Sequence, residues 1–180
     1  GVKITRSGLQ LFLERTGDDM ERITRELDKL IAYVWGREGI TAEDVEAVCT
    51  VRTENKIFDM INAMAEKKQK RALELYDDLL ALREPPLRIL ALIARQFNLL
   101  LQVKDLRRQG FDQNEIASRV GIMGFIVRSC LRQAEYFSED DLRRAAEECV
   151  ATEEAVKTGR LGDRLGVELL IVKYSSPGKK

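Results

Sequence analysis

The sequence predicts an all-α protein in two parts, a small three-helix domain followed by a larger helical bundle. Three observations support this fold class. Apolar residues recur at helical spacing along most of the chain, strand-like alternation is weak, and only three prolines interrupt 180 residues. No linker between the two parts is long enough to let them move freely.

The first part, residues 1–52, contains three predicted helices. The first is a short amphipathic segment. The second begins at Asp18 or Asp19, because an acidic residue suits a helix N-terminus, and it ends at Gly36. The third begins at Thr41, a predicted N-cap that acidic residues follow in the first turn.

The second part, residues 53–175, contains about seven predicted helices, and residues 176–180 form a tail predicted to be disordered. Proline starts one of the helices, Ser138 caps another, and glycines end several of them. The predicted helices are carried by residues 55–67, 69–84, 85–110, 112–121, 122–137, 139–159 and 163–174.

The helix at residues 85–110 is more apolar than a surface helix needs to be. Between Leu87 and Leu106 apolar residues lie on almost every side, whereas one apolar stripe is enough to anchor a surface helix. Either the other helices of its own domain enclose it, or one of its sides contacts another protein. Polar residues interrupt the run often enough to exclude a membrane span.

The composition gives little support for catalysis. The chain has no histidine, which removes the commonest general base and transition-metal ligand. Its three cysteines are scattered as small apolar core residues and indicate a reducing, cytoplasmic setting. A Walker phosphate loop is also absent from the sequence. We therefore nominate no catalytic, cofactor-binding or metal-binding residue.

A DNA-binding helix-turn-helix in residues 112–136 is the alternative function. That segment has a capped helix, a glycine-containing turn and a second helix. The second helix is largely apolar, so we favour packing over DNA contact. Thirty basic residues also balance thirty acidic ones, which is unusual for a dedicated nucleic-acid binder. The candidate DNA contacts are Arg128, Arg132 and Arg160.

Four stretches of the chain, in the same order, resemble delta subunits of bacterial DNA polymerase III, which belong to the clamp loader. The resemblance covers essentially the whole chain, although Gly162 and Gly166 flank or interrupt the last helix where a more helix-favouring sequence is expected. The stretches are "GDDMERITRELDKLIAYVWGREGITAEDVEAV", "EPPLRILALIARQFNLLLQVKDLRRQG", "EIASRVGI" with "FIVRSCLRQAEYFS", and "EEAVKTGRLGDRLGVELLIVKY".

The resemblance implies that residues 1–52 form the helical lid of an AAA+-like region and that residues 53–175 form the clamp-loader collar. Collars of related subunits associate side by side into a ring-like pentamer. The family's full-length chain also has an N-terminal α/β domain that binds the sliding clamp, so this chain is expected to be a C-terminal fragment. The expected function is non-catalytic subunit assembly in DNA replication, with no cofactor and no membrane contact.

The expected partners are the gamma/tau and delta-prime subunits, and contact with primed DNA is expected to be indirect. One side of the helix at residues 85–109 is expected to support its own domain while another side meets a neighbouring subunit. The candidate interface residues are Arg95, Gln96, Leu99, Gln102, Val103, Leu169 and Val172.

Overall fold

The structure is a computed structural model that describes residues 2–17, 20–49 and 53–176. Within those residues it contains ten helices and one pair of two-residue strands, which confirms the predicted all-α class. The chain divides into two compact units, Gly1–Lys56 and Ile57–Lys180. The predicted boundary after residue 52 lies outside the described residues, as do residues 177–180 of the tail predicted at residues 176–180.

The first unit holds three helices and the two strands. The strands pair in parallel, and they are too short to produce an alternating pattern in the sequence. The elements are β1 (Lys3–Ile4), α1 (Arg6–Thr16), α2 (Met20–Tyr33), β2 (Gly39–Ile40) and α3 (Ala42–Val48). Its core consists of Phe12, Leu30, Val34, Ile40, Val45 and Cys49.

Side-chain caps fix the ends of α3. Thr41 is its N-cap, as predicted: its hydroxyl accepts a hydrogen bond from the Asp44 amide, and the Asp44 carboxylate accepts one from the Thr41 amide at 2.8 Å. At the other end, Arg15 of α1 donates to the Cys49 carbonyl at 2.6 Å and so ties α1 to α3. The predicted start of α2 at Asp18 or Asp19 lies outside the described residues.

The second unit holds six whole helices and most of a seventh, α4, whose first residues belong to the first unit. This number agrees with the prediction of about seven helices. Capping boxes begin α7 at Asp112 and α9 at Ser138, and Gly121 ends α7 in the left-handed conformation, with φ 69°. The helices are α4 (Thr53–Ala65), α5 (Gln69–Ala81), α6 (Pro86–Arg108), α7 (Gln113–Val120), α8 (Gly124–Ala134), α9 (Glu139–Lys157) and α10 (Asp163–Ser175).

Helix α6 is the central element of the second unit. It contacts α7, α8, α9 and α10, and a fully buried stripe along it forms the middle of the core. No described helix is both long enough and apolar enough to cross a membrane. The buried stripe consists of Ile89, Leu90, Ile93, Phe97, Leu100 and Val103.

The expectation that an apolar side of α6 faces outward is wrong. Every large apolar side chain of α6 is buried or half-buried against the core of its own unit, because four helices surround it. Besides Arg107 and Arg108 in its last turn, the exposed residues of α6 form a stripe that is polar except for one alanine: Arg88, Ala91, Arg95, Asn98 and Gln102. The helices of the same unit therefore account for the apolar residues of α6, and contact of its exposed side with another protein stays a prediction.

Candidate subunit-association surfaces

Helix α10 carries the exposed apolar stripe that α6 lacks. Leu165 and Leu169 are 49% and 52% exposed, and Val172 is half-buried. Spacings of four and three residues place these side chains on one face of the helix. The opposite face is buried through Val167, Leu170 and Ile171. Apolar residues on two faces of α10 therefore have different roles, since one face forms core and the other meets solvent. We call Leu165, Leu169 and Val172 the α10 stripe.

A close helix crossing fixes α10 on α9. A Cβ atom at Gly166 would lie 3.0 Å from the Thr152 methyl and 3.3 Å from a Val156 methyl, so only glycine allows this approach without adjustment. Lys173 adds a 2.6 Å ion pair with Glu148 of α9. The glycine that departs from the expected pattern of the last helix thus has a packing role.

Contacts with α5 and α6 hold the remaining sides of α10. The Tyr76 hydroxyl of α5 donates to the Arg164 carbonyl at 3.3 Å. The Phe97 ring of α6 lies 5.8 Å from the Tyr174 ring. Three neighbouring helices thus cover the rest of α10 and leave the α10 stripe in solvent.

The interface residues predicted on α6 divide into exposed and enclosed side chains. Arg95 and Gln102 are exposed. Leu99 is half-buried against the core and Val103 is fully buried, so Val103 offers no surface to a partner. Gln96 is half-buried, and its amide nitrogen donates to the Gln133 side chain of α8.

The predicted interface residues on α6 and on α10 do not form one patch. Phe97 faces Tyr174 where the two helices meet. Residues two positions apart in a helix point about 160° apart, so Arg95 is turned away from that contact, and Val172 is turned away from it on α10. The structure therefore contains two separate candidate surfaces, one polar on α6 and one apolar on α10.

The three candidate DNA contacts lie in two separate parts of the sequence. Arg128 and Arg132 are exposed on α8, whereas Arg160 follows α9 and forms a 2.9 Å ion pair with Glu154. The helix-turn-helix segment forms α7 and α8 as predicted, and α8 is anchored to the core by its inner face. That inner face consists of Val127, Cys130, Gln133 and Ala134.

Sequence reasoning missed a buried polar network that joins α4, α6 and α8. Gln133 is 1% exposed; its amide nitrogen donates to Asn62 Oδ1 at 2.7 Å and to the Phe58 carbonyl at 2.9 Å. Its amide oxygen accepts from Gln96 at 2.7 Å. Both glutamines fall at positions of their helices where the helical spacing places apolar core residues. This spacing could have indicated that the two side chains are buried.

A second missed contact fixes the end of α8. The Lys104 ammonium of α6 donates to the Ala134 carbonyl at 2.8 Å and to the Phe137 carbonyl at 2.7 Å. These carbonyls belong to the last turn of α8 and to the segment that follows it, where backbone acceptors lack helical partners. Lys104 is therefore a structural residue that joins α6 to the end of α8.

The described residues offer no group of His, Cys, Asp or Glu arranged to hold a metal ion. Burial raises the pKa of Cys130 to about 11 and that of Cys149 to about 12, so both remain protonated thiols at neutral pH. Two surface clefts, one at residues 67–74 and one at residues 140–147, are open and lined mainly by charged side chains. The predicted interface residues that are exposed lie on the stripes of α6 and α10.

Several known proteins are similar to this chain. Residues 54–174 match the family described as "DNA polymerase III delta subunit, C-terminal domain". The chain is 34% identical to the Bacillus subtilis DNA polymerase III subunit delta, over 89% of this chain and 46% of that protein. It is 27% identical to a probable subunit delta of Aquifex aeolicus, over 79% and 41%. The chain spans less than half the length of these two curated relatives.

The same relationship is seen among solved structures. The Bacillus subtilis DNA clamp loader delta protein superposes with a TM-score of 0.88 at 32% identity, covering 97% of this chain and 51% of that chain. The comparisons do not support the helix-turn-helix alternative.

Proposed function

The chain belongs to the family of DNA polymerase III delta subunits, and we propose that it is part of a clamp loader that acts in bacterial DNA replication. In this proposal residues 1–52 are the lid and residues 53–175 are the collar. The collar holds the subunit beside its neighbours, the gamma/tau motor subunits and delta-prime. Its role is assembly, without catalytic residues of its own.

The observation that carries this proposal is the α10 stripe. Leaving large apolar side chains in water is unfavourable, and such a surface commonly marks a contact with another protein. Leu165 and Leu169 are exposed although their helix is firmly packed on three neighbours. We propose that one adjacent collar covers this stripe.

The polar stripe on α6 suits the second neighbour. A subunit inside a ring has two neighbours, and the two candidate surfaces point away from each other across the α6–α10 contact. We propose Arg95 and Gln102 as contacts on this second surface. Polar contacts of this kind contribute to specificity and association rate more than to affinity.

The remaining partners are proposed to act outside the collar surfaces. Contact with the sliding clamp is assigned to the N-terminal α/β domain that the family resemblance implies, and contact with primed DNA is indirect. A cytoplasmic location fits the three free cysteines, since thiols persist in a reducing compartment.

A double variant tests the proposed role of the α10 stripe. Leu165→Glu/Leu169→Glu is expected to weaken assembly with the motor and delta-prime subunits by about a hundredfold, because roughly 3 kcal/mol of apolar burial is lost. Size-exclusion chromatography and titration calorimetry measure this change. Circular dichroism checks that the variant folds.

The matched control is Val150→Glu. Val150 is 63% exposed on α9, so this change adds a charge at another exposed apolar position. It is expected to leave assembly unchanged. Wild-type assembly by the double variant, or an equal defect in Val150→Glu, would show that α10 is not the contact.

A further inference from the structure

We propose that the turn between α4 and α5 is a docking surface for a short acidic segment of another protein. Four exposed basic side chains lie within five positions at this turn, and they line one open cleft with a volume of about 540 Å³. We call Lys67, Lys68, Lys70 and Arg71 the basic turn. It includes no residue of the α10 stripe, and the inference does not depend on the proposed assembly function.

The positive charge of the basic turn exceeds the negative charge beside it. Glu66 pairs with Lys68 at 2.6 Å, and Glu74 pairs with Arg71 at 3.4 Å. Lys70 forms no ion pair with any residue that the structure describes. Four cations therefore face two carboxylates at this turn, although the chain as a whole has no net charge. A local excess of this kind attracts a negatively charged partner.

Hydrogen bonds to two helices hold the basic turn in place. Lys67 adopts a left-handed conformation, with φ 59°, and its ammonium donates to the Tyr174 carbonyl at 3.0 Å, near the end of α10. The Lys68 amide donates to the Ala63 carbonyl of α4 at 2.8 Å. A partner therefore meets cations on a backbone that is already fixed, which reduces the conformational entropy lost on binding.

The donor groups of the basic turn suit carboxylates. Arg71 carries a planar guanidinium, which can bind one carboxylate through two hydrogen bonds, and its 3.4 Å contact with Glu74 is longer than charge-assisted hydrogen bonds usually are. The lysine ammonium groups attract a carboxylate as point charges. A carboxylate of the partner can therefore replace Glu74 on Arg71 while neighbouring carboxylates contact the lysines.

The short length of the positive surface favours a few carboxylates over a nucleic-acid strand. Glu66 precedes the basic turn, Glu74 follows it, and Asp77 and Asp78 are exposed in the next turn of α5. A strand that continued along α5 would bring its phosphates against these carboxylates. None of the residues that line the cleft is aromatic, so they provide no ring on which a base can stack. Two or three consecutive acidic residues, by contrast, fit over the basic turn alone.

Fluorescence anisotropy with the whole chain and a labelled, end-capped peptide of about six aspartates tests the inference. We expect Lys70→Ala/Arg71→Ala to bind the peptide at least about tenfold more weakly at low salt, because two of the four cations are lost. The matched control Arg143→Ala/Arg144→Ala removes the same charge from exposed positions of α9 and is expected to bind like the wild type. Circular dichroism checks that both variants fold.

A second variant tests the role of Glu74. Glu74→Gln removes the carboxylate that occupies Arg71, so it is expected to tighten peptide binding by about threefold or more, whereas Glu147→Gln on α9 is expected to change nothing. An oligo(dT) strand with the same number of charges is expected to displace the peptide less effectively than unlabelled peptide does. The inference is overturned if the wild type does not bind the peptide, if the α9 arginine variant loses as much affinity, if Glu74→Gln does not tighten binding, or if oligo(dT) competes equally well.

Discussion

At the residue scale, Gln133 is a buried polar side chain that joins three helices of the second unit through hydrogen bonds. It satisfies Gln96, Asn62 and the Phe58 carbonyl at once. A buried polar group that loses its partner costs about 1–3 kcal/mol. The network therefore fixes the relative positions of α4, α6 and α8 more specifically than apolar packing alone.

Replacing Gln133 with leucine is expected to lower the free energy of unfolding by about 1–3 kcal/mol, because three partners lose a hydrogen bond inside the core. Urea denaturation followed by circular dichroism measures this change. Gln102→Leu makes the same replacement at an exposed position of α6 and is expected to shift stability by less than about 0.5 kcal/mol. A Gln133→Leu protein as stable as the wild type would contradict the role of the network.

Asp44 makes the first unit sensitive to acid. The Thr41 amide and the Arg37 guanidinium, 2.6 Å away, lower the pKa of the Asp44 carboxyl below its usual 3.8. A carboxyl with a lower pKa in the folded state stabilises the fold above the unfolded pKa, and this stabilisation is lost as the pH falls through the folded pKa.

Asp44→Asn is therefore expected to be less stable than the wild type at pH 7, and the difference is expected to shrink as the pH falls below about 3.8. Thermal unfolding at a series of pH values measures this convergence. A difference that stays constant across the acid range would show that the charge of Asp44 does not contribute.

At the element scale, the crossing of α9 and α10 depends on Gly166. Gly166→Val would bring methyl groups against Thr152, Val156 and Leu161, and overpacking of this kind costs about 1–3 kcal/mol. Gly162→Ser is the control, because position 162 has open space around it and is the N-cap of α10, where serine is favourable. Urea midpoints compare the two variants. Equal stability of both would mean that the helices separate at low cost.

Several helix ends could be predicted from the sequence, whereas the helices that pack around each helix could not. Thr41, Ser138 and Gly121 act as the predicted start and stop signals, because capping depends on nearby residues. The environment of α6 depends on how many helices surround it, which periodicity does not report. Arg95 and Gln102 follow the helical spacing of one polar stripe in the sequence. The many leucines between them nevertheless favoured the interpretation that apolar residues lie on almost every side of the helix.

At the scale of the whole molecule, the candidate association site was predicted only in part. Leu169 and Val172 lie on the α10 stripe, whereas Val103 belongs to the core and Gln96 to the polar network. Leu165, which completes the stripe, was not nominated. An apolar helix in a sequence does not distinguish the face turned inward from the face turned outward, and tertiary contacts were needed to decide this.

The enclosure of α6 has a consequence for how such a subunit can diverge. A substitution in that helix disturbs several neighbours at once, whereas a substitution on the outside of α10 leaves the interior untouched. On the proposal that α10 contacts an adjacent subunit, substitutions on its outer face can therefore change that contact while the interior of the fold stays constant.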